Sequence, residues 1–210
     1  MHSSALISGS AFAETYGIKD GIVVDIGGRD VNGSLKSAFE DMKFICVDME
    51  KDPSVDIVVQ PSEKLPFEDE SVDLIVSTSC FEHDPCFWMT FKEMCRIVKP
   101  TGYIYVNAPS AGPYHMYPGD NWRFYSDAGQ ALAYWSGKQI SDEKIFPVKV
   151  IETFTIVNNE FNDFVCVWQR VDSDSENAVK EIIVQPEIIN NIGILEKKIN
   201  EKGLATRKKC

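Results

Sequence analysis

The apolar run Ile22, Val23, Val24, Asp25, Ile26 breaks into Gly27 and Gly28, and a second run from Phe44 to Val47 ends at Asp48. Two short strands that stop in this way point to an α/β sheet whose ligands sit at the carboxyl ends of the strands. A glycine turn lets a ligand approach bare backbone, and an acid about 20 residues further on can chelate a ribose diol. The pair therefore predicts a nucleoside site. The plainer alternative is that Asp25 and Asp48 are strand-end turn formers, a role that Asp often takes.

The glycine turn narrows the nucleoside. A dinucleotide pocket uses G-x-G-x-x-G because the pyrophosphate must touch main-chain amides at a helix N-terminus. Here the run is Gly27, Gly28, Arg29, Asp30, Val31, Asn32, Gly33, which lacks that spacing and sets Asp30 where a phosphate would be repelled. No P-loop Gly-Lys-Ser/Thr occurs in the chain. S-adenosylmethionine fits better, because it joins an adenosine to a sulfonium and an amino-acid tail without any phosphate. Asp25 or Asp30 could meet its ammonium, Arg29 its carboxylate and Asp48 its ribose.

Strand and helix signals alternate from Ile22 to Ala108, as in parallel βαβ units. A leading helix is expected over 3–16, with Ala5, Leu6, Ala13 and Tyr16 on one face and Gly9 against it. Strand 22–26, a helix over about 33–41, strands 44–48 and 55–59, an extended loop over 61–67 and a buried strand 71–78 follow. The best-marked helix has Asp84 as N-cap and Pro85 at its first position, with Phe87, Trp88, Phe91, Met94, Cys95 and Val98 at helical spacing before a stop at Pro100 and Gly102. Strand 103–108 leads into a long loop, Ser110 to Tyr125. A helix from cap Ser126 to about Ser136, closed by Gly137, comes next. The alternating runs 148–157 and 162–171, joined by a turn at Asn158, Asn159 and Glu160, read as an antiparallel hairpin on the sheet edge.

A chain of 210 residues with 44% apolar content can bury one substantial core. The net charge is -11, and residues 172–210 are charge-balanced, so the body up to Val171 carries the excess. That argues against a large nucleic-acid substrate, whose binding is driven by Lys and Arg on phosphates. The six cysteines form no C-x-x-C pair and mostly sit in apolar patterns, which suits reduced core residues in a cytoplasmic protein. Neither a basic leader with a long apolar stretch nor a run of about 18 apolar residues occurs, so no membrane span is expected.

Parallel units ending in an antiparallel hairpin resemble the seven-stranded sheet of class I S-adenosylmethionine-dependent methyltransferases. VVDIGG resembles that family's first motif, ICVDM its ribose-binding second strand and SEKLPFEDESVDLIVSTSCFEH its segment running from Leu-Pro-Phe to Glu-His. EMCRIVKPTGYIYVNAP resembles its helix, turn and fifth strand, and the match spans about 20–109 in the family's order, with the type 11 subgroup most alike. The resemblance implies a Rossmann-like methyltransferase fold, a mostly parallel sheet with helices on both faces. It also implies S-adenosylmethionine held by Asp25, Gly27, Gly28, Arg29, Asp30, Asp48, Met49, Ser62 and Ser79. Two departures stand out. Arg29 and Val31 occupy positions where the family has glycine, and Gln60, Pro61 and Ser62 replace an Asp that contacts adenine, leaving that contact to Ser62, Glu63 or backbone.

Methyl transfer to a hydroxyl calls for a general base, and a His near neutrality is suited to it. Three histidines occur, and His2 is at the terminus. His83 follows the fourth strand and either shapes the pocket or acts as base. His115, oriented by Asp120, is the preferred base, in a loop that the resemblance places on the acceptor side. Tyr114, Tyr117, Trp122 and Arg123 in that loop resemble a carbohydrate-binding surface, rings for sugar faces and polar groups for hydroxyls. Alternatively these rings pack the loop onto the sheet. A divalent ion would need Asp and His side chains to converge here, and no tight ligand spacing demands one, so no metal is assigned. Glu82 faces the substrate or pairs with Arg123. Cys80 and Cys86 read as packing residues, and Asp69, Glu70 and Asp73 as a solvated turn.

Two parts are expected, a methyltransferase domain over 1–171 and a helical tail over 172–210. A polar break at 172–175 opens the tail, in which Ile188, Ile192, Leu195 and Ile199 make an apolar helical stripe. It either folds back on the domain or meets a second copy as a homodimer. The expected function is methyl transfer from S-adenosylmethionine to a hydroxyl of a sugar, a glycan or another small molecule, in the setting of surface-polysaccharide synthesis. The competing readings are a methyltransferase fold used as a scaffold without turnover and a nicotinamide oxidoreductase.

Overall fold

The computed structural model describes residues 3–138, 144–158, 161–171 and 193–207. The elements run α1 (Ser3–Tyr16), β1 (Ile22–Ile26), a 3-10 turn (Lys36–Phe39), β2 (Lys43–Asp48), β3 (Ile57–Val58), β4 (Val72–Thr78), α2 (Phe87–Ile97), β5 (Val98–Ala111), α3 (Ala128–Ser136), β6 (Val148–Val157), β7 (Asn162–Arg170), α4 (Ile194–Glu201) and β8 (Ala205–Arg207). The strands form one sheet in the order β3-β2-β1-β4-β5-β7-β6-β8. The β1, β2, β3, β4 and β5 pairings are parallel, whereas β7 joins β5 and β6, and β6 joins β8, through antiparallel pairings. This is the mostly parallel sheet with a terminal hairpin expected from the sequence, with one short strand added.

Side-chain alternation along the strands serves both faces. Val24 and Ile26 of β1 join a core with Phe91, Met94 and Trp168 under α2 and α3. Val23 points the other way, into a core with Phe12, Leu35, Tyr105, Leu195 and Ile199 under α1 and α4. Gly9 is tolerated in α1 because a Cβ there would come within 2.5 Å of Leu35. Small residues on this face of α1, Ala5, Ser8 and Ala11, bury alongside Phe12, a broader contact than the Ala5, Leu6, Ala13 and Tyr16 stripe.

Several boundaries differ from the sequence reading. The helix expected near 33–41 is a single 3-10 turn, because the Asp30 carboxylate accepts the Gly33 N–H at 2.8 Å and spends the connection on a turn. One turn still buries Leu35 and Phe39. Strand β3 is reduced to two residues, since the Asp56 side chain takes the Cys46 N–H at 2.8 Å. Helix α2 begins at Phe87 and not Pro85, although the Asp84 carboxylate still accepts the Cys86 N–H at 2.7 Å. β5 starts at Val98, paired with Val72 ahead of a register shift, and runs past the expected end to Ala111. Ser126 does not cap α3. Its carbonyl accepts the Thr153 hydroxyl at 2.9 Å, which ties the helix entry to β6 instead.

The described part of the tail folds back. Leu195 and Ile199 are fully buried, and β8 pairs with β6. The buried Glu152 carboxylate accepts N–H groups of Leu195 at 3.0 Å and Glu196 at 3.2 Å, so an acid sits on the amino end of α4 where the helix dipole favours it. Lys198 and Lys202 pair with Glu14 of α1. The Asn159 and Glu160 turn, the break at 172–175, Ile188, Ile192, His2 and Cys210 lie outside the described residues.

Candidate active site

The strand order switches between the parallel neighbours β1 and β4, with β2 and β3 to one side and β5 to the other, so the loops after them diverge and leave a crevice at their carboxyl ends. A cavity of about 670 Å³ occupies it, bounded by Gly27, Arg29, Asp48, Met49, Ser79, His83, His115 and Tyr117 among others. Asp25, Gly28, Asp30, Ser62, Tyr114, Asp120, Trp122 and Arg123 are not part of its wall. Leu65, Gln60, Pro61 and Glu63 supply the side where an adenine ring is expected.

Gly27 makes the floor of the crevice. Its φ is +72°, and a Cβ would lie 2.3 Å from the Cys80 sulfur, so only glycine fits. The amides of the turn are already used within the protein. Gly27 and Gly28 N–H groups donate to the Val47 carbonyl at 2.8 and 3.3 Å, and Arg29 N–H donates to Asp48 Oδ2 at 3.3 Å. No free amide nest remains there for a pyrophosphate. Asp48 Oδ1 also accepts the Glu50 N–H at 3.0 Å, which fixes the carboxylate while leaving lone pairs for a diol.

Charged groups in the cavity wall are Arg29 against Asp48, Glu50, Glu63 and Asp84. Arg29 is itself paired with Glu50, and its guanidinium lies 5.4 Å from the Tyr117 ring centroid. The crevice is therefore acidic and suits a cation. Beneath the turn, Asp25 is fully buried and neither carboxylate oxygen has a hydrogen-bond partner. Burial, reinforced by the charge of Asp48, pushes its pKa up to about 8.

The loop between β5 and α3 closes the opposite end. Arg123 holds Asp120 with two hydrogen bonds and donates to the Pro113 carbonyl at 3.0 Å. The first of these pulls the Asp120 pKa down to about 2. Trp122 donates to the Asp84 carbonyl at 2.9 Å and packs edge-on against Phe87 and Trp88. Trp122 and Arg123 thus fasten the loop to the body, the alternative weighed for these side chains. Tyr114 and Tyr117 stay exposed at 71% and 58%, open to a ligand.

His115 and His83 meet edge to face with ring centres 5.0 Å apart. Asp120 Oδ2 accepts the His115 backbone N–H at 2.8 Å and lies 3.3 Å from its Nδ1. His83 Nδ1 bonds the Gly119 carbonyl, and burial lowers its pKa. Both Nε2 atoms face Glu82, which is buried and whose pKa burial raises to about 8. Glu82 does not pair with Arg123. It stands beside the two histidines, a convergence that spacing in the sequence could not reveal because His115 is 33 residues further along. The adjacency of Glu82 and His83 at the end of β4 was the available signal.

Residues 22–106 match the type 11 family model described as a methyltransferase domain. Among solved structures, 1,6-didemethyltoxoflavin-N1-methyltransferase of Burkholderia thailandensis, crystallised with S-adenosylhomocysteine, is similar at TM-score 0.61 and 15% identity, covering 80% of this chain and 79% of that one. The YcgJ protein of Bacillus subtilis is similar at TM-score 0.60 and 14% identity, covering 79% and 99%. A S-adenosylmethionine-dependent methyltransferase of Methanosarcina mazei is similar at TM-score 0.52 and 18% identity, covering 76% and 97%. No curated protein matches the chain. The strand order and the crevice where that order switches between β1 and β4 give the chain a Rossmann-like methyltransferase fold, within which residues 22–106 are similar to the type 11 methyltransferase domain.

Proposed function

We propose that the protein is an S-adenosylmethionine-dependent O-methyltransferase whose acceptor is a hydroxyl of a sugar, a glycan or another small polar molecule. One observation carries this reading: a single crevice joins the cofactor-side residues Gly27, Asp48 and Met49 to the two histidines at its other end. The residues fit the cofactor. Its wall has four carboxylates against one guanidinium, which suits a sulfonium with an ammonium tail, and the spent turn amides do not suit a pyrophosphate. Asp48 would hold the ribose, the bare backbone at Gly27 the amino-acid tail, and Leu65 with Glu63 the adenine. The cofactor supplies an electrophilic methyl group on sulfur.

The chain's own part is to hold the acceptor oxygen in line and to take charge of its proton, and positioning alone can supply much of the acceleration. The proton falls to the cluster of Glu82, His83 and His115, of which His115 has the most exposed side chain, 34% against 18% and 1%. Tyr114 and Tyr117, exposed beside it, give flat apolar faces of the kind that stack on sugar rings. The five described cysteines are free, in keeping with a reducing, cytoplasmic setting. Among the described residues no helix is long and apolar enough to cross a membrane.

The test is calorimetry with S-adenosylmethionine, S-adenosylhomocysteine and NAD, followed by mass spectrometry of an acceptor panel. Asp48→Ala is expected to weaken cofactor binding by about 1.5–3 kcal/mol, a charged hydrogen-bonding group being lost. Binding of NAD alone would overturn the reading. Cofactor binding with no methylated product from any hydroxyl acceptor would point to a scaffold.

A further inference from the structure

Glu82, His83 and His115 each present one donor atom, and the three atoms lie within 4.8 Å of one another. Glu82 Oε1 is 3.6 Å from His83 Nε2 and 3.9 Å from His115 Nε2. Those separations are too long for hydrogen bonds. Ligands on a tetrahedral ion with bonds of about 2.0–2.1 Å stand about 3.3 Å apart, so a small contraction would close the set around a metal. Glu82 Oε2 is buried and has no hydrogen-bond partner among the described residues. A cation held beside it by the two imidazoles would give that carboxylate a partner.

The outer nitrogen of His83 is engaged from behind, and that of His115 faces a carboxylate without a hydrogen bond to it. The Gly119 carbonyl can only accept, so the His83 Nδ1 bonded to it carries the proton and Nε2 keeps its lone pair towards Glu82. His115 Nδ1 lies 3.3 Å from Asp120 Oδ2, and Arg123 clamps that carboxylate in turn. Metal-bound histidines are held as His83 is, one nitrogen on the ion and the other on a carbonyl or carboxylate, and Asp120 stands where it could do the same for His115.

We propose that Glu82, His83 and His115 bind a divalent transition-metal ion, with zinc the best match to two imidazoles and one carboxylate that leave a fourth position open towards the crevice. The donor set and the open position are those of catalytic zinc sites. Ion binding stands on this geometry alone, whereas its use rests on the proposed O-methylation. In that use the acceptor hydroxyl takes the open position. It does so by exchange with a hydroxide held there: the acceptor O–H bond breaks, its proton joins the hydroxide, which departs as water, and the alkoxide electron pair then forms the O–CH3 bond as the S–CH3 bond breaks and S-adenosylhomocysteine leaves. His115 then lends a lone pair to the ion instead of accepting the proton itself.

The experiment strips the full-length protein with a chelator and titrates it with Zn²⁺ by calorimetry and with Co²⁺ by visible absorption. One ion per chain is expected, with the cobalt bands of a four-coordinate site. His115→Ala and Glu82→Gln should each weaken Zn²⁺ binding at least tenfold, and Asp120→Asn about 10–100-fold, as removal of an outer partner does. Affinity for S-adenosylhomocysteine, measured on the same samples, should stay within about twofold and reports folding. No stoichiometric ion, or unchanged Zn²⁺ affinity in variants that still bind S-adenosylhomocysteine, overturns the metal site. Full methyl transfer by stripped enzyme overturns the ion's use and leaves the O-methyltransferase reading intact. Zn²⁺ binding as expected with no S-adenosylhomocysteine binding upholds the site and sinks that reading.

Discussion

Asp25 is a carboxyl placed in the middle of a strand between two cores, and its isolation gives a stability that depends on pH. It is fully buried without a hydrogen-bond partner on either oxygen, and burial raises its pKa to about 8. In the unfolded chain it titrates near 3.9. Between those values the folded protein keeps a proton that the unfolded chain releases, so stability falls as pH rises through the window and levels off above about 8. From about pH 4 to pH 7 the loss is three pH units at ~1.36 kcal/mol each, about 4 kcal/mol. Asp25→Asn removes the titration and keeps the shape. The variant is expected to match the parent near pH 4 and to exceed it by about 4 kcal/mol near pH 7. Urea unfolding of both proteins at several pH values measures the difference directly. A gap that does not change with pH would refute the reasoning, because it would mean that Asp25 ionises in the folded state as it does in the unfolded one.

Leu195→Ala should destabilise the protein by about 2–5 kcal/mol in chemical unfolding, since the side chain is fully buried between α1 and the sheet. A loss below about 0.5 kcal/mol would show that α4 does not dock in solution. Gly27→Ala puts a side chain at φ +72° and 2.3 Å from the Cys80 sulfur. It should lose about 1–3 kcal/mol of stability and at least tenfold in S-adenosylhomocysteine affinity, and a parental dissociation constant would remove the glycine from the cofactor site.

The fold was legible where pattern and topology agree. Strand β1 and the hairpin β6–β7 carry their periodicity openly, and each falls within a residue of its expected limits. Errors gathered where a side chain took over a backbone bond. Asp30, Asp56 and Ser126 each redirect a turn or an element end, and their partners Gly33, Cys46 and Thr153 cannot be inferred from composition. The tail shows the same limit differently. The spacing of Leu195 and Ile199 announced an apolar stripe, but only the packed structure assigns that stripe to the chain's own sheet, with Glu152 supplying the cap. In the site, Gly27, Asp48 and Ser79, which line one crevice, were readable as strand-end residues because they follow successive strands. The pairing of Glu82 with both histidines was not, because it depends on how the loop after β5 folds back.

The two departures from the family's glycine pattern are explained by the same loop. Glycine is required only where φ is positive or where a Cβ meets another atom, and neither Arg29 nor Val31 is among the residues with positive φ. Arg29 keeps the main-chain bond to Asp48 while its side chain swings to Glu50 and beneath Tyr117. The residue that replaces a glycine therefore becomes a post on which the loop after β5 rests. From that post the loop continues to Gly119, Asp120 and Arg123, which orient His83 and His115. The glycine turn and the histidine cluster are thus tied through Arg29 and Tyr117. A glycine at position 29 would leave the turn's backbone unstrained and cut that tie, so Arg29 serves the packing of the loop after β5 without straining the turn.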